Sequence, residues 1–296
     1  MANNIVEISS QPPLVSVLIT AYNREAYLAD AIESAVQSTY QNLEIIIVDD
    51  ASTDATVEIA KKYARQDSRV RLYINQQNIG DYPNRNKAAG YAKGDFLMWV
   101  DSDDIIYNES IEKCTNLMVQ HPEVNFGIYY RIPTSKDAFT LDSKTALYQH
   151  FFETPYLMIG PGGTIIRREY FEKIGGFPEK YGPANDMYFN LKAACYSVVL
   201  MIPFEIYFLR KHPGQEINNA YNYLYNNYRY NRDSFDELEL PLSKNEIKWL
   251  HRKNKRRFLV NIIKYFFRTG DLIKTRFAIN QASYRLRDAL EGIFHL

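Results

Sequence analysis

The hydrophobic pattern of the chain changes period several times along its first half. Residues 15–20 (VSVLIT) form a short, β-branched apolar run of the kind that fills a strand buried on both faces. Beyond it, Leu28, Ile32, Ala35 and Val36 recur at i, i+4, i+7 and i+8, the spacing of one helix face. Residues 43–48 (LEIIIV) return to the strand pattern and run into Asp49-Asp50. Ser52 or Thr53 can then cap a helix carrying Val57, Ala60 and Ala64 on one side. Residues 70–74 predict a third strand, and Pro83 suits the first turn of a helix reaching about Ala92. Residues 96–100 (FLMWV) predict a fourth strand ending directly on Asp101-Ser102-Asp103-Asp104, and a helix over 110–121 stops at Pro122.

Strands alternating with helices predict an α/β fold, a doubly wound and mostly parallel sheet flanked by helices. In such sheets ligands bind beyond the carboxyl ends of the strands. Three of those ends carry polar groups here: Thr20-Ala21-Tyr22-Asn23, Asp49-Asp50 and Asp101-Ser102-Asp103. Helix capping by Asp and Asn accounts for one such cluster easily and for three poorly.

The second half is less regular. Residues 126–131 predict a strand and 133–142 a polar loop, while 160–167 (GPGGTIIR) combine a close backbone approach with a further strand. Tyr221, Tyr223, Tyr225, Tyr228 and Tyr230 stand among asparagines in 218–235. They could stack on a flat or ring-shaped ligand, although a stripe at helical spacing is more often packing. Ser243-x-x-Glu246 is a capping box that opens a long helix, Gly270 suits its end, and a further helix is expected over 272–290. Residues 244–296 hold 13 Lys/Arg against 4 Asp/Glu, a formal +9 that the rest of the chain balances. The basic run 252–257 sits beside Phe258, Leu259, Ile262, Ile263, Phe266 and Phe267. That combination fits a membrane-surface helix; the other reading is a helical appendage packed on the α/β domain or on a second subunit, its basic face merely solvated.

Composition narrows the function. With 46% hydrophobic and 24% charged residues, the 296-residue chain is an ordinary globular sequence. Its 35 basic and 35 acidic residues leave no global field to recruit nucleic acid. Two cysteines, Cys114 and Cys195, exclude a disulfide scaffold and read as core fillers. The first 13 residues have neither the basic flank nor the apolar run of a signal peptide, and the apolar stretches 196–209 and 258–267 are interrupted. The expected location is the cytoplasm, with peripheral association at the inner face of the membrane as an option.

Carboxylates one residue apart after a buried strand suit a hard cation, Mg²⁺ or Mn²⁺, shared with substrate phosphates. The turn 20–25 lacks any glycine, and no phosphate-binding Gly-rich loop occurs elsewhere, so hydride transfer and P-loop hydrolysis are not expected. A metal-bridged diphosphate, with Asp49 or Asp50 accepting from a base or ribose, fits better.

The strings VSVLITAYNREAYLADAIES, IIIVDDASTDAT and NIGDYPNRNKAAGYAKGDFLMWVDSDD, in that order over roughly 13–104, resemble the nucleotide-sugar-binding half of family 2 glycosyltransferases with the GT-A fold. A looser second part, 160–212, contains GGTIIRREYFEKIGGF and Asn185-Asp186. The resemblance implies that Thr20, Tyr22 and Glu25, with Ala21 and Asn23 of the same turn, line a nucleoside pocket. Asp50 would bond the base, Asp49 would support its turn, and Arg85 would sit near the nucleotide. Asp101, Ser102 and Asp103 match the Asp-x-Asp motif, with Asp103 the direct metal ligand and Asp101 on the ribose or the metal. Asp186 matches the general base of inverting members, although this chain has Asn185 where the family more often has Glu. His212, in Arg210-Lys211-His212, would lie near the diphosphate, and Pro213-Gly214 replace the polar residues that often follow. An Asp with its ordinary pKa near ~3.9 is a weak base, which serves only if proton transfer is late and the metal lowers the rest of the barrier.

The implied protein is a metal-dependent, inverting hexosyltransferase of surface polysaccharide or glycoconjugate synthesis. Its donor would be a nucleoside-diphosphate sugar, UDP-linked by preference, and its acceptor a glycan or lipid-linked sugar. Residues 1–215 would form the catalytic domain, divided into a nucleotide half (13–104) and an acceptor half (105–215), with 216–296 a helical extension. A sugar nucleotidyltransferase and a non-catalytic nucleotide-sugar or glycan-binding module remain alternatives.

Overall fold

A computed structural model of the chain describes residues 11–130, 136–215 and 219–294. In chain order the elements of the first half are β1 (Val15–Ala21), α1 (Leu28–Val36), β2 (Leu43–Asp49), α2 (Thr56–Gln66), β3 (Val70–Ile74), α3 (Asp81–Tyr91), β4 (Phe96–Asp101), β5 (Ile105–Ile106) and α4 (Ser110–Gln120). They continue with β6 (Val124–Tyr129), β7 (Phe139–Leu141), α5 (Ser143–Phe152), β8 (Thr164–Arg167), α6 (Arg168–Lys173), α7 (Asn185–Cys195), β9 (Val198–Ile202) and β10 (Tyr207–Phe208). Four helices close the described chain: α8 (Ala220–Glu237), α9 (Lys244–Thr269), α10 (Leu272–Gln281) and α11 (Leu286–Ile293).

Eight strands form one sheet in the order β3-β2-β1-β4-β8-β6-β9-β7. The β3-β2-β1-β4 half is wholly parallel. β8 then runs antiparallel to both β4 and β6, and β7 antiparallel to β9, so the sheet is mixed but mostly parallel as expected. Every residue of β1 and β2 is buried because helices cover both faces. Successive side chains point to opposite faces: Leu18, Ile46, Val48, Leu97 and Trp99 enter one hydrophobic cluster, while Val17, Ile19, Ile45, Ile47 and Met98 enter the other. Thr20 lies level with Val48 on one side and with Asp101 on the other, which brings the three polar strand ends to one rim.

The second half departs from the pattern-based reading in several places. β6 begins and ends two residues earlier than the strand expected at 126–131, and residues 131–135 lie outside those described. The remainder of the expected loop instead holds edge strand β7 and leads into α5, which Asp142 caps by accepting from the Thr145 N–H at 3.0 Å. That helix buries only Ala146, Leu147 and His150, too short a stripe to register as a period. The helix expected over 272–290 is two helices, broken where Ser283 adopts φ +51 and Tyr284 turns in against Phe258 and Tyr228. The tyrosines of α8 take the packing role: Tyr228 and Tyr230 are buried, and Tyr221, Tyr223 and Tyr225 pack partly buried against the clusters. Phe235, Leu240 and Leu250 extend the first core cluster into α8 and α9. Among the described residues no helix is long and apolar enough to cross a membrane.

Candidate active site

The turn after β1 and the turn after β2 are stitched together. Asn23 adopts φ +51, a conformation Asn tolerates better than most residues. Its N–H donates to Ser52 Oγ at 2.9 Å and its Oδ1 accepts from the Thr53 N–H at 2.9 Å. Glu25 Oε2 accepts from the Ala55 N–H at 2.9 Å, at the entry to α2. Asn23 and Glu25 are thus committed to the scaffold. Thr20 and Ala21 are buried at the strand end, and Tyr22 is the member of the turn that exposes its ring.

Asp49 and Asp50 are both buried, and each holds a loop. Asp49 accepts from the N–H and the hydroxyl of Ser52 at 2.9 and 2.5 Å. Asp50 clasps the segment that leads into α3: Oδ1 accepts from Asn75 Nδ2 at 2.7 Å and the Ile79 N–H at 2.9 Å, and Oδ2 from the Gly80 N–H at 2.9 Å. Three of about four acceptor positions on that carboxylate are taken, which leaves Oδ2 one for a ligand. Gly80, at φ +92, makes the bend that starts α3.

α3 presents Arg85 to the end of β4. Its Nη2 lies 2.8 Å from Asp101 Oδ1 and its Nε donates to Asp81 Oδ1 at 2.9 Å. Arg85 is 8% exposed, and its Nη1 has no hydrogen-bond partner among the described residues. Burial opposes the positive charge, but Asp101 and Asp81 overrule it and hold the guanidinium well above its usual range.

The two acidic residues of the Asp-x-Asp motif face different partners. Asp101 is taken by Arg85, whereas Asp103 Oδ2 lies 2.9 Å from His212 Nε2 and 3.6 Å from Arg24 Nε. Ser102 is buried between them. The β5–β10 ribbon, which pairs Ile106 with Tyr207, carries residues 210–212 back over the motif. There Arg210 donates its N–H to Asp104 Oδ1 at 3.0 Å and its Nε to the Asp103 carbonyl at 3.1 Å. Tyr27 stacks on the His212 ring at 4.6 Å between centroids. Burial, helped by the charge of Asp101, pushes the Asp104 carboxyl up to about 7.

Asp186 sits in the first turn of α7, where its Oδ1 accepts from the Met187 N–H at 2.8 Å. It is 6% exposed, and burial pushes its carboxyl up to about 7 against the pull of that N–H and of Arg85. Gly160 borders it; a Cβ there would lie 3.9 Å from Asp186 Oδ2. Asn185 turns away, accepting from the Tyr181 N–H and donating to the Gly182 carbonyl.

Arg24, Tyr27, Asn75, Asp81 and Tyr82 belong to this rim and were not singled out in the sequence. Asp81 was findable, four residues before Arg85 on one helix face. Tyr27 was not, because nothing local joins it to His212. Among the described residues, no three His, Cys, Asp or Glu side chains group to cage an ion by themselves. One carboxylate beside one imidazole fits a hard divalent cation that takes its other oxygens from water and a bound diphosphate.

The family model for glycosyl transferase family 2 matches residues 16–175. An uncharacterized glycosyltransferase of Haemophilus influenzae is 40% identical over 118 residues, 40% of this chain and 47% of that one. Glycosyltransferase GlyA of Streptococcus pneumoniae is 30% identical over 194 residues, 60% of this chain and 27% of that one. EpsJ of Bacillus subtilis, an uncharacterized glycosyltransferase, is 31% identical over 216 residues, 68% of this chain and 62% of that one. The matched stretch therefore spans less than half the length of the first two relatives. Among solved structures, S. aureus TarS 1–349 in complex with UDP-GlcNAc superposes with a TM-score of 0.71 at 23% identity, over 90% of this chain and 79% of that one. The mannosyltransferase PcManGT of Pyrobaculum calidifontis, in complex with GDP-Man and Mn²⁺, gives 0.66 at 15% identity, over 96% and 88%. These likenesses share the fold, and with the family model spanning more than half of its length the chain belongs to glycosyl transferase family 2.

Proposed function

We propose that the protein is an inverting, divalent-metal-dependent glycosyltransferase. It would move a sugar from a nucleoside diphosphate, UDP by preference, to a hydroxyl of a glycan or lipid-linked acceptor in surface polysaccharide or glycoconjugate synthesis. The complexes of TarS with UDP-GlcNAc and of PcManGT with GDP-Man and Mn²⁺ support the donor class and the ion. By chemistry we assign residues 1–215 to the transferase unit and 216–296 to a helical extension.

The observation that carries the reading is Asp186. A buried carboxyl with a pKa of about 7, at the same rim as the Asp-x-Asp motif, is matched to removing a hydroxyl proton at neutral pH. Proton loss from the acceptor is then no longer the weak-base problem of an ordinary Asp. Asp103 and His212 would hold Mn²⁺ or Mg²⁺, and the bound ion would offset charge developing on the departing diphosphate. Tyr22 offers an exposed ring to the base, and the open position on Asp50 Oδ2 accepts one base or ribose proton. Arg85, charged and with Nη1 unspent, answers an oxygen of the donor sugar or phosphate. One base and no carboxylate nucleophile give inversion at the anomeric carbon.

The test is calorimetry with UDP, dTDP and GDP, each with and without Mn²⁺, on the wild type and on Asp186→Asn. One nucleoside diphosphate should bind in a metal-dependent way to both proteins, while turnover of the matching sugar donor falls by ~10²-fold or more in the variant. Absence of diphosphate binding in every condition would overturn the donor site. Surviving turnover in the variant would remove Asp186 from the mechanism.

A further inference from the structure

The C-terminal helices show a different surface from the one their sequence suggested. Phe258 and Ile262, adjacent in the sequence to the basic run, are buried with Tyr228, Ala278 and Ala282. The far stripe of α9, Val260, Ile263 and Phe267, is exposed, and α10 adds Leu272, Ile273 and Phe277.

α11 is turned inside out. Its carboxylates meet α9, where Asp288 and Glu291 lie 2.9 and 2.5 Å from Lys255 Nζ. Gly292 permits the close crossing, since a Cβ there would come 2.9 Å from the Arg256 backbone nitrogen. Leu286, Leu290, Ile293 and Phe294 are consequently left exposed at i, i+4, i+7 and i+8. Phe267, Ile273 and Leu286 are 81, 84 and 79% exposed. Helices that spend their polar face on their own protein and offer apolar side chains to solvent mark an interaction surface.

Charge selects the occupant. The four carboxylates of 244–296 are all engaged locally: Glu246 in the capping box, Asp271 capping α10, and Asp288 and Glu291 on Lys255. The segment therefore keeps no spare carboxylate of its own, and Lys264, Arg268, Lys274, Arg276 and Arg285 are exposed among the apolar residues. We propose that these helices dock on an anionic lipid bilayer, their exposed apolar side chains entering the headgroup boundary and their cations pairing with lipid phosphates. A second copy of the same surface would set like charge against like charge. The inference stands independently of the donor site, although docking would bring that site to a membrane-held acceptor.

The test is sedimentation of the full chain with vesicles of phosphatidylcholine alone and with a third phosphatidylglycerol. Binding to the anionic vesicles should exceed binding to neutral ones by ~10-fold or more and weaken with added salt. The triple variant Phe267→Ser, Ile273→Ser, Leu286→Ser should keep its circular dichroism and nucleotide binding while losing ~10-fold in vesicle binding. If the wild type ignores anionic vesicles, or the triple variant binds them as well as the wild type does, the proposal is wrong. A concentration-dependent dimer abolished in that variant, without vesicle binding, would make a second copy the occupant.

Discussion

Asp186 is the residue whose chemistry depends most on where the fold puts it. Its neighbours are Arg85, Asp81, Asp101, Tyr82 and the Met187 N–H; burial, aided by the charges of Asp81 and Asp101, outweighs the pull of the Met187 N–H and Arg85 and raises its carboxyl to about 7. Two consequences carry opposite signs. In the proposed role of base it would work only when ionised, so kcat/KM should fall about tenfold per pH unit below about 7. In folding, the native state keeps a proton that the unfolded chain releases near ~4, so stability is lost as pH rises from there through about 7. Asp186→Asn keeps the acceptor for Met187 and removes the buried charge. The variant should melt above the wild type at pH 8, and the gap should close towards pH 5. Thermal melts at both values check this, and an equal gap at both would contradict the shift. The position was legible in the sequence through Asn185-Asp186, but the pKa was not. Desolvation is a property of everything packed around a residue, here including Gly160 and α3.

At the scale of elements, the first four strands were legible because each is a short, mostly apolar run with a helix period between. The site they carry was legible for a different reason: three strand ends were polar in register. What the pattern could not show is which carboxylates are free to act. Asp50 was read as a base-binding group, yet it is also the clasp that fixes the segment before α3, and hence the aim of Arg85. Asp50→Ala would leave the Ile79 N–H without its acceptor and strip one of two acceptors from the Gly80 N–H and from Asn75 Nδ2, which keep Asn78 Oδ1 and Asn84 Oδ1. A hydrogen bond to a charged group is worth about 1.5–3 kcal/mol, so the variant should lose several degrees in melting temperature even without ligand. A carboxylate that served the nucleotide alone would leave the unliganded melt unchanged. Melting curves with and without donor distinguish the two. The β5–β10 ribbon makes the same point: two-residue strands have no readable pattern, yet with the Arg210 bonds they bring His212 back to Asp103.

Across the whole molecule, charge divides the chain more sharply than packing does. The acidic part holds the proposed donor site and the basic part the exposed apolar residues of α9, α10 and α11, a division of charge visible in the sequence. Packing ignores it. Tyr181 donates to Asp233 of α8 at 2.9 Å, Tyr188 to Glu237 at 2.8 Å, and the Phe151 ring meets Phe235 edge-on at 5.4 Å. Tyr181, Tyr188, Phe235, Leu240 and Leu250 share one core cluster with Trp99 and Leu97 of β4. A chain cut after residue 215 would expose these faces. Burying one large apolar side chain is worth about 1.5–3 kcal/mol, and whole domains are stable by only about 5–15 kcal/mol. Losing several such contacts at once removes much of the margin. The fragment should therefore unfold well below the full chain, bind hydrophobic dye and be cleaved rapidly by protease, whereas the triple surface variant of α9, α10 and α11 should not. If the fragment melts cooperatively at the full chain's temperature, the helices are an accessory. If it does not, residues 1–215 depend for their fold on α8 and on α9, the first helix of the basic segment.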